Sequence, residues 1–316
     1  MAVETTTFSN NSADTWFRDI MFDCVLCPRA CHVNRLAGQT GYCGQTAELM
    51  AARASLHYWE EPCISGTSGS GTVFFSGCNL RCVFCQNHNI ALGKAGRVIA
   101  PEHLAEIFLQ LQEQGANNIN LVTPTHFLPQ IVIALEQAKQ QGLHLPIVYN
   151  TGSYESPEAL RHLEGLVDIY LPDLKYFSPE LSTAYSHAPD YFETACAAIS
   201  EMYRQVGDSV IDEDTGLMQH GMIVRHLLLP RQTKDSKKIL RYLHETYGDH
   251  IYISIMNQYT PLPQVADIEV LNRTVTPEEY DRVLRFAERI GIERGFRQEG
   301  TAASESFIPE FDERGL

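Results

Sequence analysis

Val73-Phe74-Phe75-Ser76-Gly77-Cys78-Asn79-Leu80-Arg81-Cys82-Val83-Phe84-Cys85-Gln86-Asn87 carries the chain out of an apolar β-rich run and directly into three closely set cysteines. The spacing Cys-x3-Cys-x2-Cys on a loop brings three thiolates within reach of one small inorganic centre. A four-iron cube usually takes four thiolates, so Cys78, Cys82 and Cys85 would hold three corners and leave one iron open to a substrate or cofactor. A zinc site completed by His88 or Cys63 is the plain structural alternative for the same residues.

From this run onward short β-rich segments alternate with longer helical patterns. Strands are expected at 72–76, 118–123, 146–151, 168–174, 222–229 and 251–258, and helices at 101–114, 128–141, 156–163, 190–206, 234–247 and 277–290. Pro101, Pro157 and Pro277 suit first-turn positions, where a missing N–H costs nothing, and Ser156 and Thr276 precede two of them as N-caps. Six β/α repeats predict an α/β protein whose mostly parallel sheet is covered by helices, a partial (β/α)6 TIM-like barrel rather than a closed eight-fold one. The expected divisions are a cysteine-rich N-terminal extension over 1–69, the partial barrel over 70–295, and a polar tail over 296–316.

Ligands in parallel β/α folds are held by the loops after the strands. Polar residues expected there are Thr123, Thr125 and His126; Asn150, Thr151 and Ser153; Asp173 and Lys175; Arg225; and Asn257, Gln258 and Tyr259. His226 alternates with Arg225 along its strand and is expected on the opposite face. Cys63 and Cys196 read as buried thiols.

A second group, Cys24, Cys27, Cys31 and Cys43, has the spacing Cys-x2-Cys-x3-Cys-x11-Cys, a complete four-thiolate set. Zinc in a closed tetrahedron and a second iron–sulfur cluster both fit it. With an odd count of nine cysteines, seven of them in two clusters, and no signal peptide pattern, metal ligation in a reducing, cytoplasmic setting is a better account than disulfides.

The 316 residues are 44% hydrophobic, enough for a sizeable core. A formal charge of −15 argues against a protein that grips nucleic-acid phosphates. No run reaches transmembrane length, so no membrane partner is expected.

The segment Cys78-Asn79-Leu80-Arg81-Cys82-Val83-Phe84-Cys85, with an aromatic before the last cysteine and a β/α pattern after it, resembles the radical S-adenosylmethionine enzymes. Within them it is most similar to the branch related to pyruvate formate-lyase activating enzyme. The resemblance covers most of residues 70–295. It implies a [4Fe–4S] cluster on the three cysteines, with the amino and carboxylate groups of S-adenosylmethionine completing the open iron. Where the family pattern has a Gly-Gly-Glu-like segment, this chain has Val122-Thr123-Pro124-Thr125-His126. Asp173-Leu174-Lys175 and Val224-Arg225 resemble further family segments, which implies that Lys175 and Arg225 help hold the cofactor carboxylate. Asn150, Thr151 and Ser153 would lie near the ribose.

The implied reaction is reductive cleavage to a 5′-deoxyadenosyl radical, which abstracts hydrogen from a substrate. A flavodoxin or ferredoxin is the implied electron donor. A glycine in a glycyl-radical enzyme is the substrate the resemblance suggests. Another peptide or a small molecule is the alternative, and a non-catalytic iron–sulfur or zinc interaction protein the alternative from another class.

Overall fold

The computed structural model describes residues 12–298 and 309–316; residues 1–11 of the extension and 299–308 of the tail lie outside the described residues. Ten strands form one open sheet: β1 Met50–His57, β2 Ser70–Phe75, β3 Arg97–Val98, β4 Ile119–Val122, β5 Ile147–Thr151, β6 Ile169–Pro172, β7 Val210–Ile211, β8 Met218–Leu227, β9 Tyr252–Met256 and β10 Gly295–Arg297. The helices are α1 Ser12–Phe22, α2 Pro62–Ser65, α3 His88–Ala91, α4 Pro101–Glu113, α5 Leu128–Gln140, α6 Pro157–Leu160, α7 Pro179–Ser186, α8 Tyr191–Val206, α9 Thr233–Tyr247 and α10 Pro277–Ile290.

The strand order is β10-β9-β8-β6-β5-β4-β2-β1-β3, with β7 paired to β8 off the main path. From β2 to β10 neighbouring strands on that path run parallel, while β1 is antiparallel to both β2 and β3. The six expected strands are β2, β4, β5, β6, β8 and β9, and the edges β10 and β3 do not meet. The sheet is a partial barrel. Its strands β2, β4, β5 and β6 are buried along their whole length, which is why they read as nearly continuous apolar runs.

The expected helix starts are realised with their caps. Ser156 accepts from the Ala159 amide, and Thr276 with Glu279 forms a full capping box at α10. Helix α7 and strand β1 are additions to the sequence reading. β1 extends the sheet back into the N-terminal extension, and residues 309–316 run along it: the Ala54 N–H donates to the Arg314 carbonyl at 2.9 Å and the Glu313 N–H to the Ala52 carbonyl at 3.1 Å. Arg53 donates to the Glu310 carbonyl and pairs with Asp312, while Phe311 packs edge-on against Phe74. The described part of the tail is therefore docked.

Strand alternation sorts side chains between the helices and the barrel interior. Facing inward are Phe74, Val122, Asn150, Asp173, Arg225, Leu227 and Met256, which line a common cavity. Below it the short helix α2 plugs the barrel. Its Cys63 and Ile64 pack in one cluster with Val148, Ile169, Leu171 and Ile223. Cys63 is thus a buried thiol, as expected, whereas Cys196 is only half-buried.

Ile64 is fully buried in that plug. Ile64→Ala should lower the unfolding free energy by about 2–5 kcal/mol, measured by urea denaturation; a loss near zero would show that the plug carries little of the fold.

Candidate functional site: a thiol-rimmed cavity with a charged floor

The loop after β2 begins with a turn that only glycine fits well. Gly77 has φ +92°, and a Cβ there would stand 2.5 Å from the Gln45 side chain and 3.0 Å from the Cys43 carbonyl. The cysteine loop is then held by its backbone: the Cys85 N–H donates to Cys82 O at 3.0 Å, and Val83 N–H to Tyr185 O at 2.9 Å. Donors point at each sulfur: the Leu80 N–H toward Cys78 Sγ at 3.4 Å, the Ser186 hydroxyl toward Cys82 Sγ at 2.9 Å, and the Asn87 N–H toward Cys85. The three thiols lie within electrostatic reach of one another, and burial followed by these neighbours pushes the Cys85 thiol up to about 12. A metal reverses that preference by binding the thiolate.

Cys82 and Cys85 form one wall of a cavity of about 240 Å³. Asn150, Asp173, Lys175 and Arg225 line it too, joined by Glu60 from the segment leading into the plug. Arg225 uses its whole guanidinium here: Nε donates to Asp173 Oδ1 at 2.8 Å, Nη1 to Glu60 Oε2 at 3.1 Å, and Nη2 to Asn150 Oδ1 at 2.6 Å. The Asn120 amide donates to Glu60 Oε1 at 3.2 Å. Lys175 Nζ contacts Asp173 Oδ2 at 2.6 Å.

Burial works against the charged forms of Asp173 and Lys175. Arg225 and Lys175 more than offset it for Asp173, whose carboxyl sits below its ordinary range, and Asp173 does the same for Lys175, which is raised. Burial outweighs Arg225 at Glu60, whose carboxyl is raised. Lys175 is also within electrostatic reach of Cys78, Cys82 and Cys85, which places a cation beside the thiols.

Of the residues expected around a cofactor, Asn150, Asp173, Lys175 and Arg225 are brought together at this cavity. Thr123, Thr125, His126, Thr151 and Ser153 are not among its lining. The reason for Thr151 is parity: one residue beyond Asn150, it points to the outer face and donates to Glu155. Thr125 donates to the same carboxylate at 2.6 Å, and Tyr149 at 3.4 Å.

His126 is buried, with Nε2 2.6 Å from the Ser76 carbonyl; burial, then Arg35, pushes it down to about 3. It is a neutral brace between the loops after β2 and β4. Ser153 is fully buried with a left-handed backbone, φ +63°, and Thr123 is likewise at φ +57°. His226 faces outward to Leu174 O and Ser236 Oγ, both at 2.8 Å, as alternation predicts. Asn257 is half-buried, Gln258 lines the cavity, and Tyr259 is buried with its hydroxyl on Leu271 O.

Glu60 was missed because it precedes β2 rather than ending a strand; its double carboxylate with Glu61, just before an apolar helix start, is the one signal the sequence held. Glu155 was missed as a loop acid, and nothing local marks it.

A family model described as the Radical SAM superfamily matches residues 72–243. The chain belongs to that superfamily. An uncharacterized protein of Methanocaldococcus jannaschii, MJ0674, is 27% identical over 286 residues, 87% of this chain and 77% of that protein. A pyruvate formate-lyase-activating enzyme of Clostridium pasteurianum is 29% identical over 121 residues, 36% of this chain and 48% of that enzyme. Among solved structures, HydG, a maturase of the [FeFe]-hydrogenase, aligns with a TM-score of 0.49 at 15% identity, over 73% of this chain and 52% of that one.

The family implies a [4Fe–4S] cluster and S-adenosylmethionine, and the site has the donors for both. Three mutually close cysteines accept N–H and O–H bonds at sulfur, and a cation and carboxylates line the adjoining cavity. Among the described residues no three His, Cys, Asp or Glu side chains stand at the spacing of a single metal ion, the three loop cysteines included. Thiolates on the corners of a cube stand further apart than thiolates around one ion.

Glu155 is fully buried, and burial, against the bonds from Thr125, Thr151 and Tyr149, pushes its carboxyl from 4.5 up to about 7. Its stabilising share is therefore present below about pH 4.5 and lost as pH rises through about 7. Relative to the wild type, Glu155→Gln should gain stability between about pH 5 and about pH 8, by up to the order of 3 kcal/mol in thermal unfolding. A difference independent of pH would refute a buried acid at this place.

Proposed function

We propose that this chain is a radical enzyme that binds S-adenosylmethionine against a cluster on Cys78, Cys82 and Cys85 and abstracts hydrogen from a glycine of a protein partner. The observation that carries the reading is the cavity with thiols on one wall and Lys175 beside Asp173 on its floor. When bound and reduced, the cluster supplies the electron that splits the cofactor's C–S bond, releasing methionine and a 5′-deoxyadenosyl radical.

The chain's own residues would orient the cofactor and keep water out. Lys175 Nζ spends one of its three N–H donors on Asp173 and so retains donors for the cofactor carboxylate. Arg225 is committed to Asp173, Glu60 and Asn150, so its part is to hold those three groups in place. Phe74, Val122, Leu227 and Met256 give the same cavity its apolar lining, which limits the access of water and oxygen to the reacting atoms.

The activase reading is supported by the partial likeness to the pyruvate formate-lyase-activating enzyme. A flavodoxin or ferredoxin would deliver the electron. All nine cysteines are free, which suits a reducing cytoplasm, and among the described residues no helix is long and apolar enough to cross a membrane. The four N-terminal cysteines would add a second metal centre, zinc or iron–sulfur.

Anaerobic incubation with reductant and S-adenosylmethionine should yield 5′-deoxyadenosine, and Cys82→Ala should abolish it; no product from a fully loaded cluster would sink the assignment. Lys175→Met should raise the KM for S-adenosylmethionine by about tenfold or more, the loss of one charge-assisted hydrogen bond. With a glycyl-radical partner, an electron paramagnetic resonance signal from glycine should appear in step with 5′-deoxyadenosine, and its absence across such partners would remove the activase reading alone.

A further inference from the structure

Among the described residues, the 3-10 helix Arg35–Ala37 is the one helical turn between α1 and β1. What gathers this segment is its cysteines. Cys24 and Cys31 are brought together by a short antiparallel pairing, Cys24 N–H to Val33 O and His32 N–H to Cys24 O, both at 3.1 Å. The Ala30 N–H to Cys27 O bond, 3.0 Å, turns the chain between Cys27 and Cys31. Gly41 admits the Cys31 sulfur, which a Cβ would meet at 2.6 Å, and so docks the strand of chain that carries Cys43. Cys24, Cys27 and Cys31 all lie within electrostatic reach of Cys43.

Three of these sulfurs accept a backbone N–H: Cys31 from Tyr42 at 3.3 Å, Cys27 from Arg29 and Cys43 from Gln45. Such donors suit thiolates bound to a metal and tune the centre they hold. Ala30 and His32, on either side of Cys31, are both left-handed, at φ +39° and +52°. Strain of this kind persists where the surroundings fix it.

The segment lies directly on the Cys78–Cys85 loop. Arg29 donates to the Asn79 carbonyl at 2.8 Å and stacks 3.9 Å over the Tyr42 ring. The Tyr42 hydroxyl donates to the Leu80 carbonyl at 3.3 Å and is within electrostatic reach of Cys78 and Cys82. The missing side chain of Gly77 lets the Cys43 carbonyl come close. None of the four N-terminal cysteines lines the cavity. Cys24 and Cys43 are buried, and Cys27 and Cys31 half-buried.

We propose that Cys24, Cys27, Cys31 and Cys43 hold a second [4Fe–4S] cluster that passes electrons to the Cys78–Cys85 cluster along the Tyr42–Leu80 contact. A low-potential flavodoxin or ferredoxin gives one electron to the outer cluster, taking it from the 2+ to the 1+ state. That electron moves on to the inner cluster, and the outer one returns to 2+. Zinc carries no electron, and among the described residues no three of these cysteines stand at the spacing of a single ion. The inference rests on the inner cluster alone and not on the substrate assigned above.

The test uses the full chain with Cys78→Ala, Cys82→Ala and Cys85→Ala combined, reconstituted anaerobically with iron and sulfide. Metal analysis should find about four iron per chain, against about eight in the wild type, and reduction should produce an S = 1/2 resonance. One zinc per chain without iron, or neither metal in a variant whose circular dichroism matches the wild type, would overturn the proposal. So would a wild-type chain that loads about four iron and no more, which guards against a misfolded variant. In Cys27→Ala/Cys43→Ala the inner cluster should be reduced several-fold more slowly by a photoreduced flavodoxin, followed by its own resonance. An unchanged rate would remove the relay.

Discussion

A guanidinium held inside the barrel is the constraint on which the rest depends. Arg225 ties the segment before the plug, through Glu60, to β5 through Asn150 and to the end of β6 through Asp173. A buried charge of this kind is tolerable only when its partners are complete, and removing one partner typically costs about 3–5 kcal/mol. The network therefore fixes three parts of the open sheet relative to one another. It also sets a level in the interior, with the apolar plug below and the cavity and thiols above. An open sheet has no closing pair of strands to impose that order, so side chains crossing the interior supply it.

The sequence showed the parallel strands, the covering helices and the cluster loop because each rests on local rules. β/α alternation, first-turn prolines and Ser or Thr caps are all short-range signals, and the cysteine spacing is shorter still. Strand β1 was hidden for the opposite reason. Met50-Ala51-Ala52-Arg53-Ala54-Ser55-Leu56-His57 has weak strand propensity, and its place is decided by pairing with β2 and with residues 309–316.

Within the site, strand-end polarity found the right loops but not always the right faces. Asn150 and Thr151 are neighbours, yet one meets Arg225 and the other Glu155. Applying the two-residue alternation to each strand end separates them. No such rule reaches Glu60, which enters from below. Nor does one reach Glu155, whose importance comes from Thr125, Thr151 and Tyr149 converging on it.

The docking of residues 309–316 on β1 has a consequence for how the molecule is made. Arg53 and Asp312 are separated by 259 positions, nearly the whole chain. Until residues 311–314 are synthesised, the backbone groups of Ala52 and Ala54 that later bond to Glu313 and Arg314 lack those partners, and Phe74 lacks Phe311. A nascent chain thus carries an unfinished sheet margin next to its cysteine loop while some 259 further positions are added. Contacts of such long sequence separation form late and slowly. The order of tail docking and of loading the cluster that the family implies on Cys78, Cys82 and Cys85 is therefore a kinetic property written into the topology.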